Sequence, residues 1–181
     1  MTHSGGSISD FDRLLLEAAT DSRQLLDDEV RQVREHIALA GFDPNGQEAV
    51  RGRLTGIAWR GRTLQGRDRL PSEETHYLWH VLRREEWPSG TTVEQYRDSI
   101  PRAILDPWSG VAVGRYHGAW QVAIIGPTEQ IRGPRGGDWL LVEYRLEVGH
   151  WVTAYQPEQG IDAVFADPVR SAVRWLRRQR S

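Results

Sequence analysis

Cysteine is absent from the 181 residues, and so is lysine: all 23 basic side chains are arginine. The first absence removes disulfides, thiolate metal sites and cysteine nucleophiles together. The second removes lysine bases and Schiff-base chemistry. No charged start leads into a long apolar run, and Leu14-Leu15-Leu16 sits among acids. The sequence therefore predicts neither a signal peptide nor a membrane helix, and a cytoplasmic protein with no membrane partner is expected. Internal repeats and long low-complexity linkers are missing too, which leaves one ordinary core. At this length such a core buries roughly 70% of the unfolded chain's surface.

The net charge of −2 is unevenly spread. Residues 1–50 hold ten acids and four arginines, a balance of −6, whereas residues 51–181 hold fifteen acids and nineteen arginines, a balance of +4. Two clusters carry the basic excess: Arg51, Arg53, Arg60, Arg62, Arg67 and Arg69, and the acid-free end from Arg170 to Arg180. Clustered guanidinium groups suit phosphate, and they equally suit a solvated surface; composition leaves both readings open.

Periodicity divides the chain into an acidic helical segment, residues 1–46, and an α+β domain, residues 47–181. Phe11, Leu14, Leu15, Ala18 and Ala19, then Leu25, Leu26, Val30, Val33, Ile37 and Ala40, recur at helical spacing, with Gly41 as a stop. Asp43-Pro44-Asn45-Gly46 reads as a turn and RLTGIAWRGRTLQG as a short hairpin. Helices are predicted from Pro71 toward Trp87-Pro88 and from Thr91 or Thr92 toward Ile100-Pro101. Beyond Asp106-Pro107, VAVGRYH, AWQVAII, DWLLVEYRL and HWVTAYQ alternate as strands between turn signals. They predict an antiparallel four-strand meander, closed by short helical turns from Ile161 and Val169.

The helix bearing HYLWH places Tyr77, Leu78, Val81 and Leu82 on one apolar stripe, with His76, His80 and Arg83 opposite and Trp79 at the margin. The histidines are then solvated, covered by the acidic helices, or catalytic. Their HxxxH spacing also fits two ligands of one metal, without the glutamate of HExxH or an obvious third ligand. On the strands, alternation puts Trp151, Thr153 and Tyr155 on one side, opposite Val152 and Ala154. It likewise groups Trp139, Leu141, Glu143 and Arg145, and pairs Arg115 with His117. In register, Arg115, His117, Glu143, Arg145, Thr153 and Tyr155 would share one sheet surface, as a reactive set or as a cross-strand salt-bridge network.

Cleavage of RNA through its 2′-hydroxyl needs a base for that proton, an acid for the departing 5′-oxygen, and cations around a phosphate that gains charge. Histidine, glutamate, tyrosine and arginine are those parts, and the chemistry requires no metal or organic cofactor. Trp79, Trp139 or Trp151 could stack unpaired bases. On this logic His76, His80, Glu143, Thr153 and Tyr155 are the catalytic candidates. Arg115, Arg145, His117, His150 and Trp151 are the candidates for substrate binding.

A helical N-terminal part, the HYLWH helix and a meander ending in GHWVTAYQP together make residues 68–175 resemble the barnase, EndoU, colicin and RelE-like superfamily of small ribonucleases, many of them bacterial toxins. VTAYQP is similar to the final-strand TAYP of phage- and toxin-associated members, with Thr153 and Tyr155 at the matching positions. Here Gln156 intervenes between tyrosine and proline. The resemblance implies a barnase/RelE-like α+β fold, metal-independent endoribonuclease activity on RNA, and a cognate antitoxin or immunity protein as partner. The competing expectation is a non-catalytic, antitoxin-like regulatory module whose acidic helices bind a basic protein. Convergence of the histidine face and the sheet face in one cleft is what separates the two.

Overall fold

Helix α1 (Asp10–Asp21) starts where Ser9 accepts a hydrogen bond from the Asp12 amide, and it buries Leu15, Ala18 and Ala19. Helix α2 (Asp27–Ala38) buries Val30, Val33 and Ile37 on one stripe. These elements belong to a computed structural model that describes residues 9–180 of the chain. A short helix α3 (Glu48–Arg51) runs into a 3-10 turn, and strands β1 (Ala58–Trp59) and β2 (Arg62–Thr63) form the expected hairpin. Its two turn residues, Arg60 and Gly61, both have positive φ (50° and 82°), as a tight right-twisted hairpin requires.

Helix α4 (Ser72–Tyr77) does not continue as an α-helix: Leu78–Arg83 winds into a π-helical turn, with the Arg84 amide bonded to the Trp79 carbonyl five residues back. The wider turn rotates Leu82 out to 43% exposure, against the stripe predicted for it, while Tyr77, Leu78 and Val81 stay buried. Helix α5 (Val93–Leu105) follows a Thr92/Gln95 capping box and extends past Pro101. Strands β3 (Gly110–Tyr116), β4 (Ala119–Pro127), β5 (Trp139–Arg145) and β6 (His150–Tyr155) form the predicted antiparallel meander.

The sheet has a fifth strand where a helical turn was expected. After the short helix α6 (Ile161–Phe165), β7 (Arg170–Arg177) pairs antiparallel with β3, giving the order β6-β5-β4-β3-β7. The alternation of β7 is broken by irregularities in its pairing and by Ala172 at φ 53°, so period-2 reading misses it. The four-strand layout is thus corrected to five strands plus the separate β1–β2 hairpin; the α+β class stands.

One hydrophobic cluster joins Leu15, Val33 and Ile37 of the first helices to Ile100 and Ile104 of α5 and to Val122, Ile124, Leu140 and Val142 of the sheet. The acidic segment therefore packs into the body. Its bonds agree: the Leu25 amide donates to the Leu176 carbonyl, Arg177 pairs with Asp27, and the Trp151 indole donates to the Ile37 carbonyl at 2.7 Å. On the opposite sheet face a smaller cluster of Ala112, Ala123, Ile125, Leu141 and Ile161 is covered by α6. Beside that cover the second face opens into a cleft.

Candidate functional site

The cleft measures about 690 Å³, and its floor is built by the π-helical turn on one side and strands β4 to β6 on the other. His76, His80, Glu143, Arg145, Thr153 and Tyr155 all line it. The helix face opposite the apolar stripe is not solvated: His76 is 1% exposed and His80 5%. Aromatic rings bury them. Phe42 stacks on His76 at 4.9 Å between ring centroids, His76 on His80 at 6.0 Å, and His80 on Tyr155 at 5.4 Å. Strand and helix thus meet through a four-ring stack.

The orientation of His80 comes from a residue that sequence reasoning missed. Glu86 Oε2 lies 3.0 Å from His80 Nδ1. A carboxylate accepts, so Nδ1 carries a hydrogen, and in the neutral ring Nε2 then holds the free lone pair. Glu86 is itself anchored, because its Oε1 accepts the Gln156 amide at 2.6 Å. The loop 128–138 closes over this junction: the Gly133 amide donates to the Glu86 carbonyl, and a Cβ at Gly133 would stand 2.2 Å from the Trp87 carbonyl oxygen. Only glycine fits so close an approach.

Buried polar atoms without protein partners concentrate here. Among the described residues they include Nε2 of His80, Nε of Arg145 and Oε1 of Gln121 and of Gln156, and all these residues line the cleft beside His76, whose ring makes no well-formed hydrogen bond. Native interiors satisfy nearly all such groups, so a cluster of exceptions along an open cleft marks a place where water or a ligand completes the bonding. Arg145 has no carboxylate ion pair among the described residues, and Glu143 is ion-paired with Arg170 instead. Both Arg170, which also lies over Tyr116 at 5.1 Å, and Tyr116 line the cleft. Arg170 reaches the cleft only because β7 is a strand beside β3, not the helical turn expected from Val169.

Burial shapes the protonation states. It holds the His76 imidazole at about 3, helped by the neighbouring His80 and opposed by the Gly46 backbone, so His76 is neutral at physiological pH. Burial raises the Glu143 carboxyl against the opposing pull of Arg170 and Arg145. It raises the Tyr155 phenol as well, and the charge of Glu143 adds to that rise, so the hydroxyl keeps its proton and acts as a donor.

Four expected binding residues lie elsewhere. A register shift between Glu143 and Tyr144 pairs Thr153 with Glu143 but Trp151 with Tyr144, leaving Val152 as the bulge residue. Trp151 is thereby turned into the main core at 3% exposure, on the opposite face from Thr153 and Tyr155. Arg115 pairs with Trp120 on the strand register and is exposed, its guanidinium 4.8 Å from the Trp120 ring; it falls on the face opposite Glu143 and Arg145. His117 occupies the β3–β4 turn with φ 47°, followed by Gly118 at 83°. His150 is tied through Nδ1 to the Ala40 carbonyl at 2.9 Å.

Among the described residues no three His, Asp or Glu side chains gather as a metal-ligand set, which the HxxxH reading needed. No described helix is long and apolar enough to cross a membrane. Set against family models, curated proteins and solved structures, the chain matches none of them.

Proposed function

We propose that the protein is a metal-independent endoribonuclease that cleaves RNA by attack of the 2′-hydroxyl on the adjacent phosphate. The observation that carries this reading is the meeting of His80 and Tyr155, ring against ring, in a cleft that also holds the unpaired Arg145. The His80 ring lies parallel to those of His76 and Tyr155 and Glu86 takes its Nδ1 edge, so in the neutral ring Nε2 is the remaining acceptor. That nitrogen is buried at the cleft and has no hydrogen-bond partner among the described residues, so the His80 edge must open to the cleft for the 2′-hydroxyl to reach it. Nε2 removes the 2′-hydroxyl proton, the 2′-oxygen bonds to phosphorus, and the bond to the 5′-oxygen breaks. Tyr155 donates its hydroxyl proton to that leaving oxygen, and Arg145 balances the charge gained by the phosphate. The products are a 2′,3′-cyclic phosphate and a 5′-hydroxyl.

The resemblance to toxin-type ribonucleases supports the same conclusion, with Thr153 and Tyr155 in the cleft. It carries with it a cognate antitoxin or immunity protein as partner. A binding module acting through its acidic helices draws less support, because those helices pack their apolar stripes into the main core and Glu29 is held by Arg23.

The test is incubation of purified protein with total RNA in chelator, with the new ends mapped, beside the variant His80→Asn. Asparagine keeps a donor toward Glu86 and removes Nε2. Cyclic-phosphate ends from the native protein and a rate lower by about 10²- to 10⁴-fold in the folded variant are expected. Intact RNA with the native protein, or equal rates, would refute the reading.

A further inference from the structure

Of the eight tryptophans, Trp79 is the one that lines the cleft. It precedes His80 in the π-helical turn, so the same local winding that turns the imidazole inward leaves the indole partly exposed at the rim. Its inner side packs on the main core, and the Arg53 guanidinium sits 5.3 Å from its ring centroid. Three other indoles are fastened by their N–H, the half-buried Trp59 to Glu74 at 2.7 Å and the buried Trp87 to Ser99 at 3.1 Å and Trp151 to Ile37 at 2.7 Å. Trp79 makes no such bond among the described residues. Arg53 is likewise exposed and has no carboxylate ion pair among them.

An exposed guanidinium lying over an indole that is backed by the core, beside a cleft whose Arg145 has no carboxylate ion pair among the described residues, forms a layered surface on which a flat, electron-rich ring can stack. The cleft volume exceeds what one phosphate at Arg145 requires and leaves room for an adjacent base. We propose that Trp79 and Arg53 form a stacking platform for an unpaired nucleobase, so that the cleft selects single-stranded over duplex RNA. The identity of the ligand rests on the ribonuclease reading. A base paired within an A-form helix has both faces covered by its neighbours and offers none to the indole. Stacking tolerates any base, so the platform confers preference for strandedness rather than for sequence.

The experiment compares native protein, Trp79→Ala and Trp79→Phe on one oligoribonucleotide in chelator, single-stranded and annealed to its complement. Thermal melts of all three proteins establish folding. Trp79→Ala is expected to raise KM by about 5- to 150-fold, the range that loss of one base-aromatic stack supplies. kcat should stay within a few-fold, Trp79→Phe should recover most of the affinity, and the duplex should be cut far more slowly. Unchanged KM in Trp79→Ala, or equal cleavage of duplex and single strand, would overturn the platform while leaving the ribonuclease reading intact. If the native protein cuts nothing, that reading fails, and fluorescence anisotropy with a labelled 2′-deoxy oligonucleotide decides the platform separately. Binding that is weakened in Trp79→Ala and restored in Trp79→Phe supports it; no binding, or equal binding by all three, rejects it.

Discussion

The two faces of the sheet are built from the same strands and serve opposite ends. Toward the helices, Val122, Ile124, Leu140, Val142 and Ala154 are buried in an apolar core, and the polar groups among them are satisfied: the Tyr96 hydroxyl donates to the Ala154 carbonyl. On the other face the alternate residues are Gln121, Glu143, Arg145, Thr153 and Tyr155, buried or half-buried around a cleft that leaves several polar atoms without partners. Burying an unsatisfied polar atom costs about 1 to 3 kcal/mol. The second face leaves these groups to water or a ligand, whereas the first satisfies its polar groups internally, which suits a surface built for binding.

Removing residues 1–41 should have the largest effect. It deletes Leu15, Val30, Val33 and Ile37 from the main core, and each buried side chain of this kind is worth about 1.5 to 3 kcal/mol. Their sum is comparable with the whole stability of a small domain, about 5 to 15 kcal/mol. The truncated chain should lose its dispersed amide spectrum; a folded fragment would show that the core face stands without its helices.

A pair of substitutions contrasts the faces directly. Glu86→Gln keeps an acceptor for the Gln156 amide but presents its NH₂ to His80 Nδ1, so the imidazole hydrogen moves to Nε2 and the base is lost. RNA cleavage should fall by about 10²- to 10⁴-fold with little change in urea midpoint. Ile124→Ala should do the reverse, costing about 2 to 5 kcal/mol while the folded fraction keeps its rate. Similar losses of rate and stability in both variants would abolish the distinction.

The smallest effect sharpens the comparison through pH. The His76 imidazole, held at about 3 in the native state, titrates near 6.5 when unfolded. The unfolded chain therefore binds the extra proton between those values. His76's contribution is complete above about pH 6.5 and declines by about 1.4 kcal/mol per unit as pH falls toward 3. In His76→Leu the stability difference between pH 7 and pH 4.5 should shrink by about 2 to 3 kcal/mol, as read from urea titrations. An identical pH dependence in the two proteins would mean that His76 is not buried neutral.

Local pattern was enough for much of this. The helix start at Thr91 or Thr92, the short hairpin within RLTGIAWRGRTLQG, the four strands of the meander and the common face of Thr153 and Tyr155 follow from spacing and turn chemistry, which act within a few residues. HxxxH correctly placed His76 and His80 on one side of a helix but could not say what covers that side, since Phe42 and Tyr155 come from other elements. The bulge at Val152 shows the limit most directly: one extra residue reverses the face of Trp151, and nothing within GHWVTAYQP encodes the register of its neighbour. The pairings of Glu86 with His80 and of Arg170 with Glu143 were likewise decided by tertiary structure. Hydrophobic periodicity specifies which residues of a single element are buried together, whereas register, bulges and side-chain pairing between elements depend on partners brought close only by folding.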